Sequence, residues 1–482
     1  MFLAYPSKII SALAPTSTHL QGYHLSSNPI EYVSAMATCN EYVATGDRAG
    51  RVSIMRREPI TPSQRKTMLS DITRAPPRTT VPYEYHVSQF AYSSVIDPLN
   101  NVEVTPNIAA LAFLPHTSPS PLLLTANEKV PKLYKVLPSV RKSVDPVRMV
   151  DQLEADGTGP LTSPSRDSTV AMKMISRFAL NHEYSINSLC PLTDSEQFVS
   201  ADDLTVQLWC TEYPEISLET YNIRPPGDED PKEIIRTVKN FPHEPFLLFV
   251  VTSAGNVRVI DMRQNLKWFS QSGSLFSNPS RDADGTFGHV TNSLSDCALS
   301  PCGRYIAGRD FMTVCLWDVR GATGGAPSMS PSSPIHRKDT TGTNTVTPLR
   351  QWELHPHLRQ DMEKFYQSDL LFERFDLVFM NRNSVCTGGF NSSLYLLDMD
   401  KVAGSANDVQ QVQLPALDGC TSVAKQSLKI KCSSANNNTE SSKTEIGSRV
   451  TLLSSPVASY GGNCEIMASC GQAVTQLNYV AA

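Results

Sequence analysis

One short pattern returns seven times along this 482-residue chain, and it restricts the fold more than any other feature. An apolar stretch ends on a small residue, a polar turn follows, and apolar residues then resume at every second position. The copies are VATGDRAGRVSIM (43–55), LLTANEKVPKLYKV (123–136), VSADDLTVQLW (199–209), VVTSAGNVRVID (250–261), IAGRDFMTVCLWD (306–318), CTGGFNSSLYLLD (386–398) and MASCGQAVTQLNY (467–479). The period of two in TVQLW, NVRVI and TVCLW marks strands with one face buried, because successive side chains of a strand point to opposite faces. The turns carry Gly, Ala or Asn, which tolerate the backbone angles that tight hairpins need. Each copy therefore reads as strand, turn, strand.

A further strand precedes each copy, as in SINSLCPL before Phe198 and SLSDCALSPCGRYI before Ala307. With a variable connecting strand, each unit becomes a four-stranded blade. Trp317-Asp318 ends the fifth copy with the dipeptide of WD-repeat blades, and Trp209 closes the third at the same place. Seven blades closed into a ring leave no open sheet edge. The expected fold is thus all-β, a single seven-bladed β-propeller over residues 1–482. Its blade cores would end near 56, 136, 210, 263, 320, 400 and 480. A pair of β-sandwiches, or two unrelated domains, would not repeat one internal order seven times.

Copies three to five are about fifty residues apart, whereas the other gaps approach eighty. The surplus falls at 58–82, 137–174, 321–348 and 401–447, stretches rich in Pro, Ser, Thr, Gly or Asn that are expected to be surface loops. Ser163, Ser330, Ser333 and Thr347 each precede Pro, as proline-directed kinases require, although loop composition alone accounts for any one of them. The 34 prolines against 24 glycines fit many short elements better than long helices.

A net charge of -5 gives no general attraction to nucleic acid or anionic membrane, so neither is expected as a partner. The longest apolar run, 108–114, is too short to span a bilayer. The opening MFLAYPSKIISALAPT lacks a basic n-region and is broken by Pro6 and Lys8, so no secretory signal is expected. Eleven cysteines without CxxC pairs suit reduced thiols and a cytoplasmic location, with the nucleus left open.

Motifs for bond-making chemistry are missing. GDRAGR (46–51) has neither the spacing nor the Lys of a phosphate loop. His355 and His357 lack a Cys or carboxylate set to complete a metal site and read as a surface pair. Asp202 and Asp203 are adjacent ahead of a strand, so they point to opposite sides and would not share a proton. Asp202 reads as a turn carboxylate that accepts backbone N–H groups, and Asp203 as the more exposed of the two. No catalytic residue, cofactor or metal is expected.

Longer segments are more specific. HEYSINS (182–188), SADDLTVQLW (200–209), IRPP (223–226), IDMR (260–263), SLSDCALSPCGRYIAGRDFMTVCLWD (293–318) and HLRQDMEKFYQSDLLFERF (357–375) follow in order. With ATGDRAGRV (44–52) and TGGFNSSLYLLD (387–398), they resemble the fifty-five-kilodalton class of regulatory B subunits of protein phosphatase type 2A. The likeness runs from about residue 32 to 398 and is strongest from Phe178 onward.

The resemblance implies a substrate-specifying subunit that docks on a helical-repeat scaffold protein, next to a metal-dependent catalytic subunit. It would present phosphoproteins through a groove on the top face of the propeller. Matching positions carry the groove residues over by resemblance: Asp203 first, then Tyr184, Glu233, Ile234, Asp369, Arg374 and Arg48. The two arginines stand where the family commonly has Lys, which keeps the charge but adds a planar fork. Pro231 and Ser185 depart from the family, and the 137–174 insert shows little likeness to the hairpin with which relatives reach the scaffold. A propeller serving another assembly, without phosphatase docking, is the alternative reading.

Overall fold

Each repeat forms an antiparallel sheet whose buried positions follow the alternation in its sequence. The computed structural model describes residues 33–57, 83–92, 105–137, 172–263, 274–277, 287–322, 344–400, 409–413, 450–454, 463–470 and 473–480, apart from 40, 118, 119, 180, 225–229, 232 and 242 within them, with the short pieces 19–20, 337–338, 430–431 and 443–444. Blade 1 runs Val33–Cys39, Tyr42–Asp47, Arg51–Arg57 and Tyr83–Phe90. Blade 2 runs Ala110–Phe113, Leu122–Ala126, Pro131–Val136 and Met172–Arg177. Blade 3 comprises Ser188–Pro191, Gln197–Ala201, Thr205–Cys210 and Glu219–Asn222, and blade 4 Ile235–Phe241, Glu244–Thr252, Val257–Asp261 and Ser274–Phe276. Blade 5 comprises Asp296–Leu299, Tyr305–Arg309, Thr313–Asp318 and Arg350–Glu353, and blade 6 Leu377–Phe379, Ser384–Gly388, Ser393–Asp398 and Val409–Gln413. Blade 7 combines Val450–Ser454, Asn463–Cys470 and Ala473–Val480 with His19–Leu20 at its outer edge.

The first strand of each blade touches the first strand of the next, and that of blade 7 returns to blade 1. These seven strands therefore line a central channel, and the expected all-β propeller is the fold observed. Apolar side chains fill the wedge between each pair of neighbours. Phe178, Phe198 and Trp209 join blades 2 and 3, with ring centroids 4.8 to 6.5 Å apart. Phe249, Phe276 and Trp317 do the same between blades 4 and 5. Burying one such ring contributes roughly 2–3 kcal/mol. At the junction of blades 7 and 1, Val43, Met55 and Met467 are buried against one another. A hydrogen bond between the hydroxyls of Thr38 and Ser454 (2.6 Å) crosses the same seam.

Several stretches expected as loops contribute strands. Met172–Arg177 and Val409–Gln413 complete blades 2 and 6. Asn344–Val346 runs parallel to Ser274–Phe276 and pairs with Arg337–Lys338, so part of the 321–348 stretch extends blade 4. Ser163, Ser330 and Ser333 lie outside the described residues, as does most of 137–174. Thr347 is half-buried just beyond the parallel strand. No helix among the described residues is long and apolar enough to cross a membrane.

Candidate functional site

In this topology the turn between the second and third strands of a blade opens on the same rim as the segment leading into a first strand. All seven predicted positions fall on that rim. Arg48 is exposed in the blade 1 turn and Asp203 half-buried in the blade 3 turn, while Tyr184 (40% exposed), Glu233–Ile234 and Asp369–Arg374 lead into blades 3, 4 and 6.

Asp202 and Asp203 have the divergent roles that strand alternation requires. Asp202 is fully buried, and its Oδ1 accepts the N–H groups of Leu204 (2.8 Å) and Thr205 (2.6 Å). Its Oδ2 meets His182 Nδ1 at 2.9 Å, and His182 Nε2 meets the Ser200 hydroxyl at 2.6 Å. That hydroxyl also accepts Trp209 Nε1–H (2.8 Å), so one buried relay ties the approach to blade 3 to its second and third strands. Burial alone would raise the Asp202 carboxyl, but the bonds from His182, Thr205 and Leu204 overcome it and hold it below the usual carboxylate range. Asp202 is thus the turn carboxylate that its spacing implied, with a histidine added.

Asp203 turns the other way. Asn187 Nδ2 donates to its Oδ1 at 2.6 Å, and the side-chain Oδ1 of Asn187 accepts both Nη groups of Arg374 at 3.4 Å. Two predicted residues, on blades 3 and 6, are therefore brought together across the rim by a third that was not singled out. Asp203 is also pinned through its backbone, since its carbonyl accepts Ile235 N–H at 2.8 Å. Ile234, beside it, packs against the apolar cluster of blades 3 and 4.

Glu233 has a partner within its own blade. Its Oε1 receives Arg258 Nε–H at 2.9 Å as well as a second, shorter bond from Arg258 Nη2, while its buried Oε2 makes no hydrogen bond among the described residues. Asp369 is exposed in a left-handed conformation (φ 60°) that starts the turn Leu370–Phe372. Its carrier, residues 356–372, is anchored by Leu358, Phe365, Leu370 and Leu371 on Phe311, Phe375 and Phe390. Tyr366 and Phe372 stay about half exposed above this anchor, with ring centroids 5.8 Å apart.

His355 corrects one expectation. It is not a surface residue but 1% exposed, with its Nε2 3.3 Å from Arg309 Nη2 and its ring against Tyr395 and Phe390. A guanidinium 46 residues away in sequence supplies the reason. No cluster of three or more His, Cys, Asp or Glu suited to a metal ion occurs among the described residues.

Below Arg374 a chain of charges continues into the channel. Lys239 of blade 4 meets Asp296 of blade 5 at 3.2 Å, and Asp296 also accepts Leu377 N–H at 3.0 Å. Burial would lower the Lys239 ammonium, yet Asp296 and Asp376 facing it raise it instead. Asp376 accepts Leu453 N–H at 3.1 Å and is pushed up to about 7 by burial and by the neighbouring Asp296. Arg374 is held down to about 10 by burial first and then by the nearby Arg236 guanidinium. Asn187 lies in the recognised HEYSINS segment, where a polar residue at the start of an inner strand was the available signal. Arg236, Lys239 and Asp376 escaped notice because their meeting depends on ring closure.

No family model matches the chain. It is 27% identical over 371 residues to the gamma isoform of the 55 kDa regulatory B subunit of serine/threonine-protein phosphatase 2A from Mus musculus, covering 74% of each chain. It is 25% identical over 370 residues to the regulatory B subunit of protein phosphatase PP2A from Schizosaccharomyces pombe, covering 75% of this chain and 71% of that one. For the corresponding regulatory protein of Candida tropicalis the figures are 26% over 370 residues, 74% and 64%. These relatives are regulatory subunits rather than catalytic ones, and this chain is likewise not an enzyme. With its seven-bladed ring and its SADDL and FYQSDLLFERF segments, the chain is a divergent relative of the 55 kDa regulatory B subunits of protein phosphatase 2A.

Proposed function

We propose that this chain is a regulatory, substrate-specifying subunit of a type 2A serine/threonine phosphatase. It assembles with a helical-repeat scaffold subunit and a catalytic subunit, in the cytoplasm or nucleus, and recruits phosphoproteins through the rim that carries Asp203. The observation that carries this reading is the Asp203–Asn187–Arg374 junction, which joins blades 3 and 6 at residues of the two most family-like segments. The mechanism is tethering. A rim of moderate affinity raises the local concentration of a bound substrate to roughly millimolar beside the partner's active site, so phosphosites at a suitable reach are favoured. Asp203 offers an acceptor for cationic or N–H groups of the substrate, while Tyr366 and Phe372 offer apolar area.

Affinity purification of the tagged chain from its own cells, followed by mass spectrometry, tests assembly. The scaffold and catalytic subunits are expected in near-equal amounts; a well-folded bait that never recovers them would overturn the reading. Within the purified complex, Asp203→Lys should slow dephosphorylation of a recruited phosphoprotein by about tenfold without loss of assembly. An unchanged rate would remove Asp203 from the groove.

A further inference from the structure

Arg236 occupies an irregular place in the inner strand of blade 4. The register with the second strand shifts between Ile235 and Thr237, leaving Arg236 as an extra residue without a partner in the ladder. Such bulges re-aim a side chain and recur beside functional sites. The residue before it is fixed on both sides, since Ile235 N–H donates to the Asp203 carbonyl and Ile235 C=O accepts Asn187 Nδ2 at 3.2 Å. The bulge therefore holds Arg236 next to the Asp203–Asn187–Arg374 junction.

Two guanidiniums lie near each other there, since Asn187 bonds both Arg374 and the backbone next to Arg236. Arg236 is half-buried and makes no hydrogen bond or ion pair among the described residues. Among the described residues Arg374 makes only the two long bonds to Asn187 Oδ1. Asp203 attracts both cations, yet its Oδ1 is committed to Asn187 and it forms no ion pair within 4.0 Å with either among the described residues. Folding thus holds two like charges near each other at the channel mouth, Arg236 half-buried and Arg374 exposed on the rim, with most of their N–H donors unused among the described residues. An oxyanion relieves that repulsion and fits the planar forks, which Lys would match less well.

We propose that Arg236 and Arg374 form an anion-accepting subsite at the channel mouth, which takes a carboxylate or phosphoryl group borne by a protein segment lying on this rim. The inference rests on the reading of the rim as a recruitment groove and names part of what it recruits. Asp203 beside the pair sets polarity: the acidic group enters between the guanidiniums, and a neighbouring cationic or N–H group of the same segment faces Asp203. The rim then reads an acidic residue next to a donor rather than simple net charge.

The test uses the full chain and fluorescent decapeptide libraries with a fixed central phosphoserine, glutamate, serine or lysine, the remaining positions being random. At low salt the phosphoserine or glutamate library should bind about tenfold more tightly than the serine library. Which acidic library leads identifies the source of the oxyanion, and inorganic phosphate should compete if the phosphoryl form is preferred. Arg236→Ala should abolish the acidic preference, Arg374→Ala should reduce it, and Arg236→Lys should restore part of it; thermal melting checks that each variant is folded. Equal binding of the serine and acidic libraries, or a preference unchanged in folded Arg236→Ala, would overturn the proposal. The outcome is separable from phosphatase docking: the libraries bind the isolated chain, so loss of scaffold recovery would sink the proposed function and leave this subsite standing.

Discussion

Blades 3 and 5 are built from matching sequence, SADDLTVQLW against GRDFMTVCLW, and use it to opposite ends. Asp202 and Asp310 perform the same local task. Asp310 accepts Met312 N–H and Thr313 N–H and takes the Thr313 hydroxyl at 2.7 Å, as Asp202 does with Leu204 and Thr205. Everything around that shared turn diverges. Ser200 carries the relay from His182 to Trp209, but Gly308 stands at its place in blade 5, where a Cβ would lie 2.8 Å from Trp317 Cζ3. Trp317 Nε1–H turns instead to the Ser277 carbonyl at 3.2 Å. Ala201 is answered by Arg309, wholly buried over the Phe375 ring and lowered to about 10 by burial. Asp203 is answered by Phe311. One blade thus turns a charge out to the rim, and the other turns an aromatic ring up as a seat for residues 356–372. A repeat fixes backbone hydrogen bonds, whereas the one residue after its turn Asp decides whether the blade presents a carboxylate at the rim or an apolar seat for a neighbouring segment.

The largest expected effect tests that pair of positions directly. Phe311→Ala should cost about 3–5 kcal/mol in denaturant unfolding and speed amide exchange across 356–372. Asp203→Ala, at the equivalent place, should cost less than about 1 kcal/mol. Similar losses at both sites would break the distinction. Next comes the relay peculiar to blade 3. Asp202→Ala removes the acceptor for His182 and for two backbone N–H groups, and about 2–3 kcal/mol should be lost in the same measurement. A loss below about 1 kcal/mol would mean that the relay is ornamental to the blade.

The smallest effect concerns the inner strands, where blade 3 has Ser188 and blade 5 has Asp296, neighbour of Asp376. The folded Asp376 carboxyl titrates near 7 and its unfolded counterpart near 3.8, so between those values the folded state binds more protons. Stability contributed by this group is therefore full at low pH and falls as pH rises from about 4 to 7. Asp376→Asn should flatten that part of the stability profile, and the variant should gain on the parent toward neutral pH. Parallel profiles for the two proteins would contradict this account of the channel.

How much was legible follows from how local each signal is. The blades were readable because TVQLW and TVCLW carry strand period within a few residues, and Asp202 because an Asx turn closes within three. Asp203 was readable by contrast with Asp202 and by resemblance. His355 was misjudged as a surface residue, since nothing near it announces Arg309. Arg236 was invisible for a similar reason: KEIIRTVKNF alternates well enough to hide one inserted residue, and only the pairing with Glu244–Thr252 exposes the bulge. The outer strand at 344–346 was hidden too, because its partner belongs to the preceding blade and runs parallel.

The junction between blades 7 and 1 has a kinetic consequence. Thr38 and Ser454, which meet across it, are 416 positions apart, so nearly the whole chain must be made before that contact can form. Contacts of such span are slow to reach and gain little until their neighbours are in place. The ring therefore zips from locally paired blades and closes last at this seam. A growing chain of this kind presents two raw sheet faces until late in synthesis, which makes protection during translation part of its requirements.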